Sequence, residues 1–322
     1  MEFKVNGDIA SNGDVVNSRG GTEQMKAGLI DRLSSRSPHL LEEFNIICSR
    51  VRELDPDKKN ILWLHDLPGD PESNHMKHPP SRERFAKLVF VSNWQFAGYN
   101  RLYGVRYNES AVLRNAIVPF RLEDTKKDPS GPIRLIYHTT PHRGLEILVP
   151  VFEALYNKFG DGIHLDVFSS FNIYGWPQRD EPYEKLFETC RNHPGIEYHG
   201  AVDNEIVREY LMKAHIFAYP SIWQETSCMS MVEAMSAGCC VVAPDYAAIP
   251  ETGGNFPLTY RFDEDINVHA NRFAGVLNGA IESCRDDVVA RRNEFQKAWT
   301  DNFYSWDHRI FEWEALLNSL RE

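Results

Sequence analysis

The feature that most constrains the fold is a repeated alternation, between Ile133 and Ala243, of short apolar runs with amphipathic segments. Ile133-Arg134-Leu135-Ile136-Tyr137 reads as a strand. After a turn through Thr139-Thr140-Pro141-His142-Arg143-Gly144, the residues Leu145, Leu148, Val149, Phe152, Leu155 and Tyr156 recur at helical spacing. Ile163, Leu165 and Val167 alternate as a strand does, a polar helix is expected over 181–192, and a short strand follows over 196–199. Asp203 is placed to cap a helix running through Met212, 216–219 is the next strand, and 225–237 reads as a loop passing into a helix. Cys239-Cys240-Val241-Val242-Ala243 is continuously apolar, as a parallel strand covered on both faces must be. Repeated β-α units of this kind build a parallel sheet between helical layers, so the fold class expected is α/β.

The N-terminal half carries a fainter version of the same rhythm. A helix over about 22–33 follows Gly20-Gly21, and strands are expected at Phe44–Cys48, 61–64, 88–91 and 110–113. An earlier strand within 3–9 is short and interrupted by Asn6 and Gly7. The charged segment 121–132, with Pro129, Gly131 and Pro132, reads as a linker between domains. A length of 322 residues fits one large or two medium domains. The boundaries expected are 1–122, a linker over 123–132, and 133–302.

Composition narrows the function classes. A hydrophobic fraction of 42% and a charged fraction of 25% are those of an ordinary soluble protein. No run approaches the roughly 18 apolar residues of a membrane span, and the polar start Met1-Glu2-Phe3-Lys4-Val5-Asn6 does not read as a signal peptide. The six cysteines form no CxxC pair, so reduced thiols in a cytoplasmic setting are expected rather than a disulfide framework or zinc site. A formal net charge of −11 opposes general nucleic-acid binding and broad attraction to anionic membranes, leaving only local peripheral membrane contact open. It remains compatible with one phosphate ligand, which needs only backbone amides and one or two cations.

The most informative stretch runs from Pro220 to Gly238. Two glutamates, Glu225 and Glu233, stand eight residues apart after a buried strand. If 230–237 is helical, Glu225 lies in the loop before the helix and Glu233 one turn inside it. The amides from Thr226 to Ser230 are then free donors at a helix N-terminus, suited to sugar hydroxyls or phosphate. Such a loop, outside the carboxyl end of a parallel strand, is where open α/β sheets bind ligands. Taken alone, Glu-x7-Glu also describes two solvated acids on a surface helix.

This block resembles the hallmark of the retaining GT-B glycosyltransferases of the large group 1 (GT4-like) family. That hallmark is Glu-x7-Glu followed by alanine, a small-residue run ending in glycine, and an apolar strand. Glu225, Glu233-Ala234, Gly238 and Val241-Val242 keep the spacing, with Pro220-Ser221 upstream. The resemblance implies two Rossmann-like domains with parallel sheets facing across a cleft. It implies donor-sugar binding by Glu225 and by the loop of Thr226, Ser227, Cys228 and Met229, and ribose binding by Glu233. A carboxylate suits ribose because it accepts two hydroxyl hydrogen bonds at once. Ser227-Cys228 departs from the Phe-Gly often found there, and Cys228 would set a side chain near the donor sugar.

Further residues fall on the family pattern. Arg143 takes the place of the lysine that neutralises the donor diphosphate and adds a bidentate fork. His138 takes the place of the companion arginine, and an imidazole there would be only partly charged near neutrality. Val202, after the strand 196–199, corresponds to the backbone against the nucleotide base, although a plain core strand also ends this way. Gly20 and Gly21 resemble the glycine pair that lets backbone approach donor phosphate or acceptor. His65, delivered by the apolar run Ile61-Leu62-Trp63-Leu64, matches a histidine near the reacting sugar carbon, though a lone histidine is more often structural. The segments 89–94 and 115–117 match as scaffold, and 303–322 resembles the closing helix that crosses back onto the first domain.

The reaction implied is sugar transfer from a nucleoside diphosphate sugar to an acceptor hydroxyl, with retention of configuration and Glu225 and His65 at the reacting centre. The donor is a co-substrate and no cofactor is implied. The acceptor is a glycan, a lipid-linked sugar or another hydroxyl compound. No metal is implied either, because Asp55-Pro56-Asp57 precedes Lys58-Lys59 instead of ending a strand. Competing readings are a nucleotide-sugar epimerase or hydrolase on the same fold, a noncatalytic nucleotide-sugar-binding subunit, and a protein–protein scaffold.

Overall fold

The computed structural model describes residues 21–121, 123 and 125–321. The strand expected within 3–9 and the glycine Gly20 lie outside the described residues. Two separate parallel sheets are present. The first has strand order β1 (Phe44–Cys48), β2 (Lys59–Leu64), β3 (Lys87–Phe90) and β4 (Ser110–Val112). The second contains β5 (Ile133–His138), β6 (Ile163–Phe168), β7 (Ile196–Tyr198), β8 (Ile216–Ala218), β9 (Cys240–Pro244) and β10 (Leu258–Tyr260). Its spatial order is β10-β9-β8-β5-β6-β7, every pair parallel.

The order of the second sheet places its topological switch between β5 and β8. From β5 the chain builds outward through β6 and β7, and from β8 outward the other way through β9 and β10. The loops leaving β5 and β8 therefore diverge to opposite faces and open a crevice between them. All of β9 is buried, and so is β2 after its exposed first residue Lys59, which is why both read as unbroken apolar runs.

Differences from the sequence reading have local causes. The helix expected over 181–192 begins only at Glu184, after a 3-10 segment Pro177–Tyr183, because Pro182 has no N–H to donate and crowds the turn before it. The last apolar run starts its strand at Cys240 rather than Cys239, whose N–H instead donates to Ala234 O just past the helix Met229–Ser236. The edge strand β10, only three residues long, has no counterpart in the pattern reading.

The C-terminal helix Trp306–Ser319 packs against the first sheet. Ile117 donates to Tyr304 O and accepts from Trp306 N, so the chain re-enters the first half along a short parallel bridge. Trp306, Ile310, Trp313 and Leu317 then share a core with Met25, Leu29, Leu33 and Trp63. The Trp63 and Trp313 rings meet edge to face at 4.9 Å, a geometry that adds to simple area burial. Trp313→Ala removes one of the three buried tryptophans of this layer. We expect it to cost about 3–5 kcal/mol, read from the urea midpoint. A loss below about 1 kcal/mol would mean that the terminal helix is not part of this core.

Candidate functional site

The site is assembled by two loops that cannot move independently. Gly144 has φ +134°, and a Cβ there would stand 2.3 Å from Pro220 O, so only glycine lets the loop after β5 lie against the loop after β8. Ile222 N donates to Arg143 O across the same seam. This brings together two residues that are 82 positions apart in the chain. Arg143 Nη1 donates to Glu225 Oε1 at 2.6 Å, and Tyr219 Oη donates to the same oxygen at 2.5 Å. Glu225 is buried, and a buried carboxylate is tolerable only with such partners. Its Oε2 makes no hydrogen bond among the described residues.

Glu233 is built on the same principle one turn into the helix Met229–Ser236. Its Oε1 accepts from Asn204 Nδ2 at 3.3 Å and Arg208 Nη1 at 3.4 Å. Burial pushes the Glu233 carboxyl above the usual range, against the opposing pull of Arg208 and Asn204. Its Oε2, too, is without a hydrogen bond among the described residues. The first amides of this helix lack intrahelical partners and face the same space.

Two adjoining cavities open along this seam. The smaller, about 670 Å³, is lined by Gly21, His138, Arg143, Val202, Met229 and Glu233, among others. The larger, about 1030 Å³, is lined by Gly21, His65, Asp66, Arg143, Glu225 and Thr226, together with an aromatic wall. Arg143 and Gly21 border both. Gly21 is already helical, within Gly21–Arg36, rather than lying in a loop before the helix.

Three expected contributions are corrected by the geometry. Cys228 reaches neither cavity: its side chain is 2% exposed and belongs to the core of the second sheet. Its thiol faces inward because the helix begins at the next residue and turns it toward the sheet. Ser227 also lines neither cavity. His138 borders the smaller cavity, but burial against Phe217, whose ring lies 5.0 Å away, lowers its pKa to about 3. It is a neutral imidazole near neutrality and supplies no cationic charge. Among the described residues, Arg143 is thus the one arginine or lysine common to both cavities.

The first sheet delivers His65 and Asp66 from the end of β2. Thr226 Oγ1 donates to His65 O at 2.8 Å, fastening the Glu225 loop to the opposite half of the molecule. His65 N donates to Ser49 Oγ at 3.0 Å, and Ser49 itself sits at φ 56°, a left-handed backbone that only surrounding structure can enforce on a serine. Burial lowers the pKa of the His65 ring to about 4, against the opposing pull of the Trp63 backbone and the Asn115 side chain, and both ring nitrogens are shielded from solvent. A second fastening joins the halves: Glu251 accepts from Asn93 N and Trp94 N at 2.8 Å, capping the helix Asn93–Tyr103, and pairs with Arg114 at 3.0 Å. Ser49, Asp66 and Glu251 are additions to the residues picked from sequence. Only Asp66, as the second half of a His-Asp pair at a strand end, carried a visible signal.

A trio with metal-ligating side chains lies elsewhere. His164, Asp166 and Glu197 bring ligand atoms within 4.8 Å of one another on β6 and β7. Arg134 already occupies that position as a cation, bonding both Asp166 oxygens at 2.8 Å and standing 3.8 Å from Glu197. Burial would raise the Asp166 carboxyl, but His164, His199 and Arg134 hold it well below the usual range. None of the trio lines either cavity.

Asp66 has the opposite electrostatics. Burial, reinforced by Asp70, raises its pKa from 3.8 to about 6. A carboxyl whose pKa is raised on folding contributes its full stability below the unfolded value and loses it as pH rises through the folded value. We therefore expect Asp66→Asn to raise stability at pH 8 by about 1–3 kcal/mol and to make no difference below about pH 4. Thermal melts across that range check this, and a gain independent of pH would show that ionisation of Asp66 is not its source.

Comparison with known proteins agrees with this geometry. Residues 134–267 match the family model described as glycosyl transferases group 1. A stretch of 143 residues is 28% identical to one of the subunits of human phosphatidylinositol N-acetylglucosaminyltransferase, covering 44% of this chain and 28% of that relative's length. Among solved structures, a glycosyltransferase from Rickettsia africae superposes with a TM-score of 0.67 at 14% identity, covering 98% of this chain and 85% of that one. HepE from Anabaena, solved with UDP and glucose, gives a TM-score of 0.63 at 15% identity, with coverages of 81% and 72%. Among the described residues no helix is long and apolar enough to cross a membrane. The chain carries a group 1 glycosyl transferase domain over residues 134–267, on the two-sheet GT-B fold of the glycosyltransferases.

Proposed function

We propose that the chain transfers a sugar from a nucleoside diphosphate sugar to an acceptor hydroxyl, with the anomeric configuration retained and without a catalytic metal. The observation that carries this reading is the position of Arg143 at the junction of the two cavities. A nucleoside diphosphate sugar has a nucleoside at one end, a sugar at the other and two negative charges between them. The smaller cavity takes the nucleoside, with the free Oε2 of Glu233 accepting ribose hydroxyls and Val202 beside the base. The diphosphate lies between Arg143 and the first amides of the helix Met229–Ser236, where a cation and a helix N-terminus act together. The sugar enters the larger cavity beside the free Oε2 of Glu225, the loop residue Thr226 and the neutral His65 ring, with Met229 at the edge of the smaller cavity.

Catalysis in this reading is electrostatic. As the sugar–phosphate bond breaks, negative charge grows on the departing diphosphate, and Arg143 is already aimed at it by its bond to Glu225. His65 lies beside the sugar as a neutral ring and adds no competing positive charge. Glu225 is committed to Arg143 and Tyr219, an arrangement that suits orientation better than nucleophilic attack. HepE and the TarM of S. aureus were both solved with UDP, which makes UDP the first nucleotide to try.

The primary test is UDP release from UDP-glucose and UDP-N-acetylglucosamine, with and without hydroxyl acceptors. Glu233→Gln keeps the side-chain shape and removes the charge. It should weaken UDP binding by about ten- to a hundredfold, as loss of a charge-assisted hydrogen bond does, measured by titration calorimetry. Unchanged affinity in the folded variant removes Glu233 from the ribose site. Removing Arg143 alone would strand the Glu225 charge, so the informative variant is Arg143→Met with Glu225→Gln. It should lower affinity for UDP far more than for uridine, and equal losses would place Arg143 away from the diphosphate.

A further inference from the structure

The larger cavity extends beyond the residues that the donor uses, and its outer wall has a definite chemistry. Trp223, 40% exposed, stands edge-on to the His142 ring at 4.8 Å, and His142 stacks on Phe171 at 5.1 Å. The Arg179 guanidinium lies 4.5 Å from the Phe171 ring and 5.4 Å from that of Trp176, which neighbours Tyr174 at 5.5 Å. All of these border the cavity, so the second half of the molecule presents a continuous aromatic face to it. The face is held in place from behind: Asp180 accepts from Phe171 N at 2.8 Å and from the Ser170 hydroxyl, closing the segment into a compact loop. Burial lowers the His142 pKa to about 3, so its ring belongs to the neutral aromatic row near pH 7.

The lining from the first half is rich in charge. It carries Arg50, Arg52, Glu53, Asp55, Asp66 and Asp70, interspersed with Ile46, Ile47, Leu54 and Leu67. One aromatic wall facing one rich in carboxylates and guanidinium groups does not suit an alkyl chain, which would leave those charges desolvated and unpaired. It suits a saccharide. A pyranose ring has an apolar C–H face that packs on an indole, and an equatorial set of hydroxyls that bridge carboxylates and guanidinium groups. At about 1030 Å³ the cavity is at the upper end of the usual range for small-molecule sites, roughly 300–1,000 Å³, with room for an acceptor ring beside the donor sugar.

We propose that the acceptor is a saccharide, its ring stacked on the Trp176 and Trp223 side of the cavity and its hydroxyls held from the other side by Asp66 and the neighbouring arginines. This rests on the transferase reading above and names its acceptor class. The Trp223 end adjoins Glu225, two residues on in the chain, so a sugar bound there lies next to the donor position. The aromatic row sets which ring face is presented, and hence which hydroxyl attacks.

Saturation-transfer NMR on the full chain tests this, with UDP present and with glucose, galactose, mannose, N-acetylglucosamine, maltotriose and chitobiose as probes. Intrinsic tryptophan emission gives the affinity. At least one saccharide should bind saturably. Trp176→Ala or Trp223→Ala should weaken it by about tenfold, while Trp176→Phe, which keeps a ring, retains most of the affinity. UDP binding, unchanged in all three variants, reports that they are folded. Absence of saccharide binding, or equal binding by the wild type and both alanine variants, overturns the proposal. So does transfer only to alkyl-chain alcohols by a protein that consumes UDP-sugar, an outcome that leaves the transferase reading intact. Tryptophan-dependent saccharide binding in a protein that neither binds UDP nor turns over any donor has the reverse meaning: the saccharide site stands and the transferase reading falls.

Discussion

The ion pair between Arg143 and Glu225 is the contact on which the rest of the site depends. Each residue comes from a loop at the switch point of the second sheet, and each is charged in a place where water is scarce. Removing one partner of such a pair typically costs about 3–5 kcal/mol, because the other charge is left buried and alone. The two loops are thus held to one another by electrostatic necessity as well as by the close fit of Gly144 against Pro220. One interaction therefore fixes two things: where the cation points, and how far apart the walls of the crevice stand.

The surrounding electrostatics explain how an acidic protein can present a site for an anion. The net charge of −11 is a long-range property, screened within about 10 Å at moderate salt, whereas the site acts at contact distance. Near Arg143 three ionisable neighbours are silenced in different ways, while Glu23 also borders both cavities. His138 and His142 are neutral through burial, and Glu225 is internally compensated. Positive potential at the junction of the cavities then comes from one guanidinium and from helix amides. This is a preorganised source that needs no rearrangement as charge develops.

How much of this was legible in the sequence follows from what each feature depends on. The strands β2 and β9 were readable because burial on both faces writes itself as an apolar run, β6 because Ile163, Leu165 and Val167 alternate, and Glu225 and Glu233 because a fixed spacing places them before and inside one helix. Two features were invisible for a common reason: they depend on residues remote in the chain. The neutrality of His138 comes from packing on Phe217, 79 positions later, and the inward turn of Cys228 from the sheet beneath its helix. The left-handed backbone of Ser49 leaves no compositional trace at all, since serine is not a residue chosen for that conformation. Pro182 shows the converse case: a local rule, visible in the sequence, shortened a helix that periodicity alone would have extended.

The two halves of the site are also coupled mechanically, through two side-chain contacts. The hydroxyl of Thr226, next to Glu225, is spent on the carbonyl of His65, and Glu251 is spent on the N-terminus of the helix Asn93–Tyr103. The Thr226 contact ties the loop before the helix Met229–Ser236 to the end of β2, and Glu251, three residues after Ala248, whose N–H donates to Glu225 O, ties the next turn of chain to the start of the helix Asn93–Tyr103. Glu251 is the stronger of the two fastenings, because a carboxylate on exposed helix amides and on Arg114 gains from charge on both sides. Separating the halves at Thr226 breaks a single neutral hydrogen bond worth about 1 kcal/mol, whereas separating them at Glu251 breaks a charge-assisted set that includes two helix amides and Arg114.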